Sequence, residues 1–141
     1  MTAVFSYEGD NEIQMPIHES VERLIELVER GEFLEAIEKF YAPQATMQEN
    51  LQLPLRTGLP ALLEGERQAL ARFKILHQHR AVSYVVDGNR AAINWIFEIT
   101  EQSGRHYTLD EVAYQEWQDG KIVRERFYYD PNLRQAEASK P

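Results

Sequence analysis

The sequence predicts an α+β domain in which three amphipathic helices are followed by a four-strand antiparallel meander, giving one curved sheet with the helices on one face. Two patterns carry that reading. Up to about residue 75, apolar residues recur at helical spacings; from His77 onward, strand-like runs are separated by the turn signals "DGN", "EQSGR" and "QDGK". A 43% hydrophobic, 11% aromatic composition adds that the chain can build a packed core.

Residues 1–15 have no clear period and are expected to form a loose arm, 16–133 one domain, and 134–141 a polar tail. A domain of this size buries roughly two-thirds of its unfolded-chain surface. In the first helix Pro16 suits the first turn, and Ile17, Val21, Leu24, Ile25 and Val28 form an apolar stripe. Glu19–Arg23 and Glu26–Arg30 are expected i,i+4 pairs on its wet side, and Gly31 ends it. A second helix from about Glu32 buries Phe33, Ile37, Phe40 and Tyr41 and is expected to stop at Pro43. A strand-like segment over 45–51 follows, then the loop "LPLRTGLP", then a third helix from about Pro60 to Ile75 with Leu59, Leu62, Leu63, Leu70 and Phe73 on one side. The strands read as "RAVSYVV", "RAAINWIFEIT", "HYTLDEVAYQEW" and "IVRERFYYD".

Charge and composition remove several function classes. With 23 acidic against 15 basic residues the net charge is −8, and no basic stripe exists to meet phosphates, so neither nucleic acid nor an anionic membrane is expected as a partner. There are no cysteines, which rules out disulfides and fits a reducing cytoplasm. The start carries acids where a signal peptide carries Lys or Arg, and no run approaches the roughly 18 apolar residues of a spanning helix. A soluble, cytoplasmic protein is expected.

Three glutamates break the strand pattern. In "YAPQATMQENLQLP", Ala45, Met47, Glu49 and Leu51 share a face, so a carboxylate points where the methionine points. Tyr107, Leu109, Ala113 and Trp117 share a phase with Glu111 and Gln115; Val123, Phe127 and Tyr129 share one with Glu125. The cleanest face is Ala91, Ile93, Trp95, Phe97 and Ile99. An ionised carboxylate in a dry core is very costly unless paired or hydrogen-bonded, and three in one solid core are not sustainable. The expectation is a hollow, aromatic-walled face with acids looking into it, the usual make-up of a small-molecule site. Carboxylates in such places tend to hold protons near neutral pH. The plainer reading puts each glutamate at a strand end, beside a bulge, or against a helix-borne Arg or Lys.

The stretches "LIELVERGEFLEAIEKFYAPQATMQE", a "TG" loop opening a helix, "VVDGNRAAINW", "EWQDGKI" and "RERFYYD" together resemble the nuclear-transport-factor-2-like superfamily over residues 17–133. Within it, SnoaL-like polyketide cyclases and ketosteroid isomerases are the most similar groups. The resemblance implies a cone, a strongly curved mixed or antiparallel sheet wrapped around three N-terminal helices with a pocket at the wide end. It also implies a homodimer through the outer sheet face. In the isomerases the segment matching Glu49 supplies the proton-shuttling carboxylate, and the oxyanion-hole donors match Leu24 and Ala113 here. Neither can donate a side-chain hydrogen bond, so steroid isomerisation by that route is not expected; losing one such donor costs about 2.7–4 kcal/mol.

Catalytic candidates are therefore Glu49, Glu125 and Glu111, with Met47, Trp95, Phe97, Gln115, Trp117, Phe127 and Tyr129 as the ligand-binding wall. His77 and His79, i,i+2 on a strand, could reach a metal with Glu49, but no further ligand set accompanies them and neither metal nor cofactor is expected. Tyr41 is expected to staple the second helix to the core, Asp130 to end a strand, and Asp110 to face away from the pocket. Two functions stay open: an isomerase- or cyclase-like enzyme using Glu49 as general base on a mostly apolar substrate, cyclic or open-chain, or a non-catalytic dimeric binding or interaction module. Either way the partner is a small apolar or amphipathic molecule.

Overall fold

The computed structural model describes residues 15–133, so the expected tail and all but Met15 of the expected arm lie outside the described residues. Helix α1 (Ile17–Glu29) buries Val21, Leu24, Ile25 and Val28 as the stripe required, with Leu27 and Ser20 beside them. On its wet side Arg23 pairs with Glu26 and Arg30 with Glu32, not with the expected i,i+4 partners. Gly31, at φ +82°, reverses the chain into α2 (Phe33–Phe40), which buries Ala36, Ile37 and Phe40.

The first correction falls here. Strand β1 (Tyr41–Glu49) begins at Tyr41, and Pro43 lies inside it instead of ending a helix. The register between β1 and its neighbour is irregular between Tyr41 and Thr46, so the missing N–H of Pro43 falls where the ladder is already broken. The strand stops at Glu49 because Asn50 and Leu51 take φ of 50° and 59°; Leu51, expected on the buried face, is 60% exposed. A two-residue β2 (Arg56–Thr57) was not anticipated.

Helix α3 (Leu59–Arg72) is three residues shorter at its C-terminal end than expected, and Phe73 opens β3 (Phe73–Asp87). The remaining strands are β4 (Arg90–Glu101), β5 (His106–Gln118) and β6 (Lys121–Tyr128). Phe73 pairs with Glu101 and Ile75 with Thr100, so the full length of β4 gains a partner, and that pairing overrides the helical spacing of Leu70 and Phe73. The sheet order is β2-β1-β6-β5-β4-β3. The meander β3 to β6 is antiparallel as expected; β1 extends it by running parallel to β6, and β2 closes that edge antiparallel to β1. The sheet is therefore mixed. Register irregularities in β3 and between Glu116 and Trp117 bend it, since an extra residue raises local twist.

The interior splits into two apolar clusters. The larger joins α1, α2 and Leu62 of α3 to Ile93, Trp95, Ala113, Trp117 and Ile122. The smaller, Ile99, Tyr107 and Leu109 with Phe73, Leu76 and Tyr129, lies towards the open end; Phe97 touches both. No helix among the described residues is long and apolar enough to cross a membrane.

Candidate active site

Strand β5 places its odd-numbered residues inward without a break: Tyr107, Leu109, Glu111, Ala113, Gln115 and Trp117 are all buried. That fixes the phase of Glu111. Glu125 of β6 is 2% exposed, whereas Glu49, the last residue of β1, is half-buried. The pairing of Met47 with Glu125 and of Glu49 with Phe127 puts Glu49 and Glu125 on neighbouring parallel strands, offset by two residues, about 7 Å of backbone along the strand direction.

Between the helices and this face lie two adjoining compartments. The outer, about 150 Å³, is lined by Glu49, Arg56, Glu66, Glu111 and Tyr129 among Phe97, Phe127, Leu70 and other apolar groups. The inner, about 110 Å³, is lined by Tyr41, Gln115 and Glu125 with Leu24, Trp95 and Ile37. Met47, Glu66, Phe97, Glu111 and Phe127 border both. A wider recess of about 640 Å³ outside Glu49 and Arg56, edged by Gln52, Leu53 and Leu55, forms the mouth.

At the outer end the Tyr129 hydroxyl donates to Glu49 Oε1 at 2.6 Å. The Tyr129 backbone N–H donates to Asn50 Oδ1 at 3.0 Å, and the Asn50 N–H to the Phe127 carbonyl at 2.8 Å, so this corner is pinned to both strands. Glu49 Oε2 makes no hydrogen bond among the described residues.

The inner end is a chain of hydrogen bonds. Trp117 Nε1–H donates to Gln115 Oε1 at 3.1 Å, which turns the Gln115 amide nitrogen towards Glu125 Oε2 at 2.8 Å. Tyr41 hydroxyl contacts Glu125 Oε1. Burial pushes the Glu125 carboxyl up to about 7, against the opposing pull of hydrogen bonds from Tyr41 and Gln115. Burial, then the neighbouring Glu125 charge, holds the Tyr41 phenol well above its ordinary value, so Tyr41 keeps its proton.

Of the expected wall residues, Met47, Trp95, Phe97, Gln115, Phe127 and Tyr129 line the two compartments. Trp117 does not; it is 1% exposed, packs edge-on against Phe40, and acts on the site only through Gln115. Tyr41 is buried in the larger apolar cluster, as a structural staple should be, and also lines the inner compartment. His77 and His79 do not share a face. The irregularity between Leu76 and Gln78 sends His77 outward to Thr100 Oγ1 at 2.8 Å and His79 inward to the Val28 carbonyl at 2.9 Å. Asp110 is exposed and accepts from Asn94 Nδ2, and Asp130 caps a turn through the Asn132 N–H.

Two charged lining residues carry no place in the expected set, Glu66 and Arg56. Glu66 sits on α3 four residues after Leu62 and four before Leu70, on the apolar stripe, a signal the sequence did carry. Burial raises its carboxyl; the Arg56 charge pulls the other way and Glu49 adds to the rise. Arg56 had no signal, because β2 was read as loop. Its side chain lies on the bare backbone of Gly65, where an added Cβ would meet Arg56 Nε at 2.6 Å. That contact accounts for a glycine inside a helix, a choice costing about 1 kcal/mol relative to Ala.

Residues 21–125 match the SnoaL-like domain. A candidate SnoaL-like polyketide cyclase from Mesorhizobium loti is 30% identical over 82% of this chain and 100% of its own, with a TM-score of 0.72. TerC, crystallised with polyporic acid, is 16% identical over 89% and 100% of the two chains at TM-score 0.74. A protein of ketosteroid isomerase-like fold from Catenulispora acidiphila, in complex with trimethylamine, is 13% identical over 87% and 94% at TM-score 0.71. No curated protein matches. The hollow cone with helices on its inner face, the match over residues 21–125 and the 30% identity converge: this chain belongs to the SnoaL-like family on the nuclear-transport-factor-2-like fold.

Proposed function

We infer that this protein holds a small, mostly apolar cyclic molecule in its cone and moves a proton on it, as an isomerase or cyclase does, with Glu49 as general base. The observation that carries this is the Glu49 carboxylate at the boundary of cavity and mouth, with Oε1 pinned by the Tyr129 hydroxyl and Oε2 open. A base needs that arrangement, because an oriented carboxylate facing a shielded apolar space meets an acidified C–H without reorganising. Glu111 borders both compartments and Glu125 closes the inner one, so both shape the field around a bound ring. The bodies bound by TerC and by the Catenulispora protein, polyporic acid and trimethylamine, are small molecules, which supports the class of ligand but names none for this chain.

The cysteine-free composition suits the cytoplasm as the place of work. Exposed Val82, Val85 and Val112 on the outer sheet face suit a homodimer formed there.

A second reading, a binding module without chemistry, is favoured by Leu24 and Ala113, which leave no donor where isomerases of this fold place theirs. One experiment separates the two. Small molecules that raise the melting temperature are incubated in D2O, and C–H exchange is followed by NMR with the wild type and with Glu49→Gln. Exchange in the wild type that Glu49→Gln abolishes, with binding and fold intact, supports the base. Binding without exchange in either protein rejects it in favour of the module.

A further inference from the structure

The inner compartment holds a group of hydrogen-bonding side chains whose directions are fixed by elimination. The Trp117 indole N–H can only donate, so Gln115 must present Oε1 to it and its NH2 to Glu125 Oε2. Glu125 Oε2 is therefore an acceptor in every protonation state. A proton on Glu125 must sit on Oε1, against the Tyr41 hydroxyl. With Glu125 ionised, Tyr41 O–H donates to the carboxylate and shows the cavity only lone pairs. With Glu125 protonated, the carboxyl donates to the Tyr41 oxygen, and the Tyr41 hydrogen turns to the cavity.

We propose that Tyr41 and Glu125 form a reversible hydrogen-bond socket at the cavity floor, which receives an acceptor oxygen when Glu125 carries a proton and a donor N–H or O–H when it does not. The proposal rests on the reading that the cone binds a small apolar ring, and adds which polar group that ring must carry at its inner end. The groups facing the pair agree with a switch near neutral pH. Glu111 of β5 and Glu66 of α3 bring further negative charge, α1 and α2 line the compartment with the apolar Leu24, Val28, Ala36 and Ile37, and the Arg56 charge lies beyond Glu66. Burial places the Glu125 transition at about 7. Met47, Glu66, Phe97, Glu111 and Phe127 border both this compartment and the one that Glu49 lines, so a ligand seated in the socket extends towards the base.

Three probes of nearly one shape test it: 1-indanone, an acceptor; indole, a donor; and indene, neither. Their binding is followed by NMR through the Trp95 indole resonance at pH 5.5 and 8.5. At pH 5.5, 1-indanone is expected to bind about fivefold tighter than indene, the value of one net hydrogen bond; at pH 8.5 that preference disappears and indole gains a similar one. Glu125→Gln fixes the donor state, since its carbonyl accepts from Gln115 and its amide donates to Tyr41, so 1-indanone is preferred at both pH values. Tyr41→Phe removes both preferences. Preferences that ignore pH in the wild type, that survive Tyr41→Phe, or that are absent at both pH values overturn the proposal. A ligand-free measurement stands beside these: the C=O stretch of protonated Glu125 in infrared difference spectra, present at pH 5.5 and lost at 8.5. Its absence at pH 5.5 also overturns it. Glu49→Gln is expected to abolish proton exchange while keeping both probe preferences, so a wild type that shows Glu49-dependent exchange without the probe preferences rejects the socket alone.

Discussion

Replacing Glu125 by glutamine should make the stability of this protein markedly less dependent on pH between 5 and 8. Glu125 is 2% exposed, and its carboxyl lies at about 7 where the ordinary value is 4.5. A group raised in the folded state contributes stability that is complete below the unfolded value and is lost as pH climbs through the folded one. The window here opens near 4.5 and closes above 7. Moving a carboxyl over that interval corresponds to roughly 3 kcal/mol, most of which falls between pH 5 and 8. Burial leaves little solvent to screen it. Glutamine carries no proton to lose, so in urea titrations the variant should gain roughly 2–3 kcal/mol on the wild type as pH is raised from 5 to 8. Groups common to both proteins largely cancel in that difference; Glu66, whose charge acts on Glu125, alters its size but not its sign. A difference that stays constant across this range would show that Glu125 ionises as an ordinary surface carboxylate, and would refute the account of a buried, protonated floor.

Tyr129→Phe removes the donor to Glu49 Oε1 while keeping the ring in the smaller apolar cluster. Wild-type-like folding with about a tenfold slower C–H exchange on any ligand found is expected, a modest effect because it reorients the base without deleting it. Gly65→Ala should displace Arg56 and, with its positive charge withdrawn, raise the Glu66 carboxyl further; an NMR titration of Glu66 that does not move would refute this. Trp117→Ala opens a hole beside Phe40 and leaves Gln115 without its donor, with an expected loss of about 3–5 kcal/mol in a denaturant titration. Val85→Lys, placed on the outer face at 66% exposure, should shift the mass seen by light scattering towards the monomer if two copies meet there, at little cost to the fold.

The fold was legible wherever one face of an element was uniformly apolar. The α1 stripe and the strict alternation of β5 are written in residue order, because each element meets water on one side only. The errors gather at junctions. Tyr41 to Pro43 and Phe73 to Ile75 carry spacings that satisfy helix and strand equally, and only the neighbouring strands decide between them: the irregular β1–β6 register at Pro43, and the outer edge of β4 at Phe73. His77 and His79 failed for the same reason. A period-two argument assumes an unbroken ladder, and one extra residue at the break between Leu76 and Gln78 moves the first of them to the other face.

The acids were legible for a stronger reason, which also marks where such reasoning stops. A carboxylate on an inward phase contradicts the core so plainly that it demands either a partner or a void; Glu49 and Glu125 have both, and Glu111 borders the void. Glu66 made the same contradiction on α3 with a period of four. Tyr41 made none, because an inward tyrosine is ordinary core; its standing comes from meeting Glu125, 84 positions away in the chain. Arg56 is the opposite case, a charged side chain in a two-residue strand that reads as solvated until Gly65, on another element, is seen to clear the space it fills. Sequence phase therefore exposes groups that disagree with their surroundings. The groups that resolve the disagreement lie on other elements, and pairing across the sheet and against α3 is what brings them within reach.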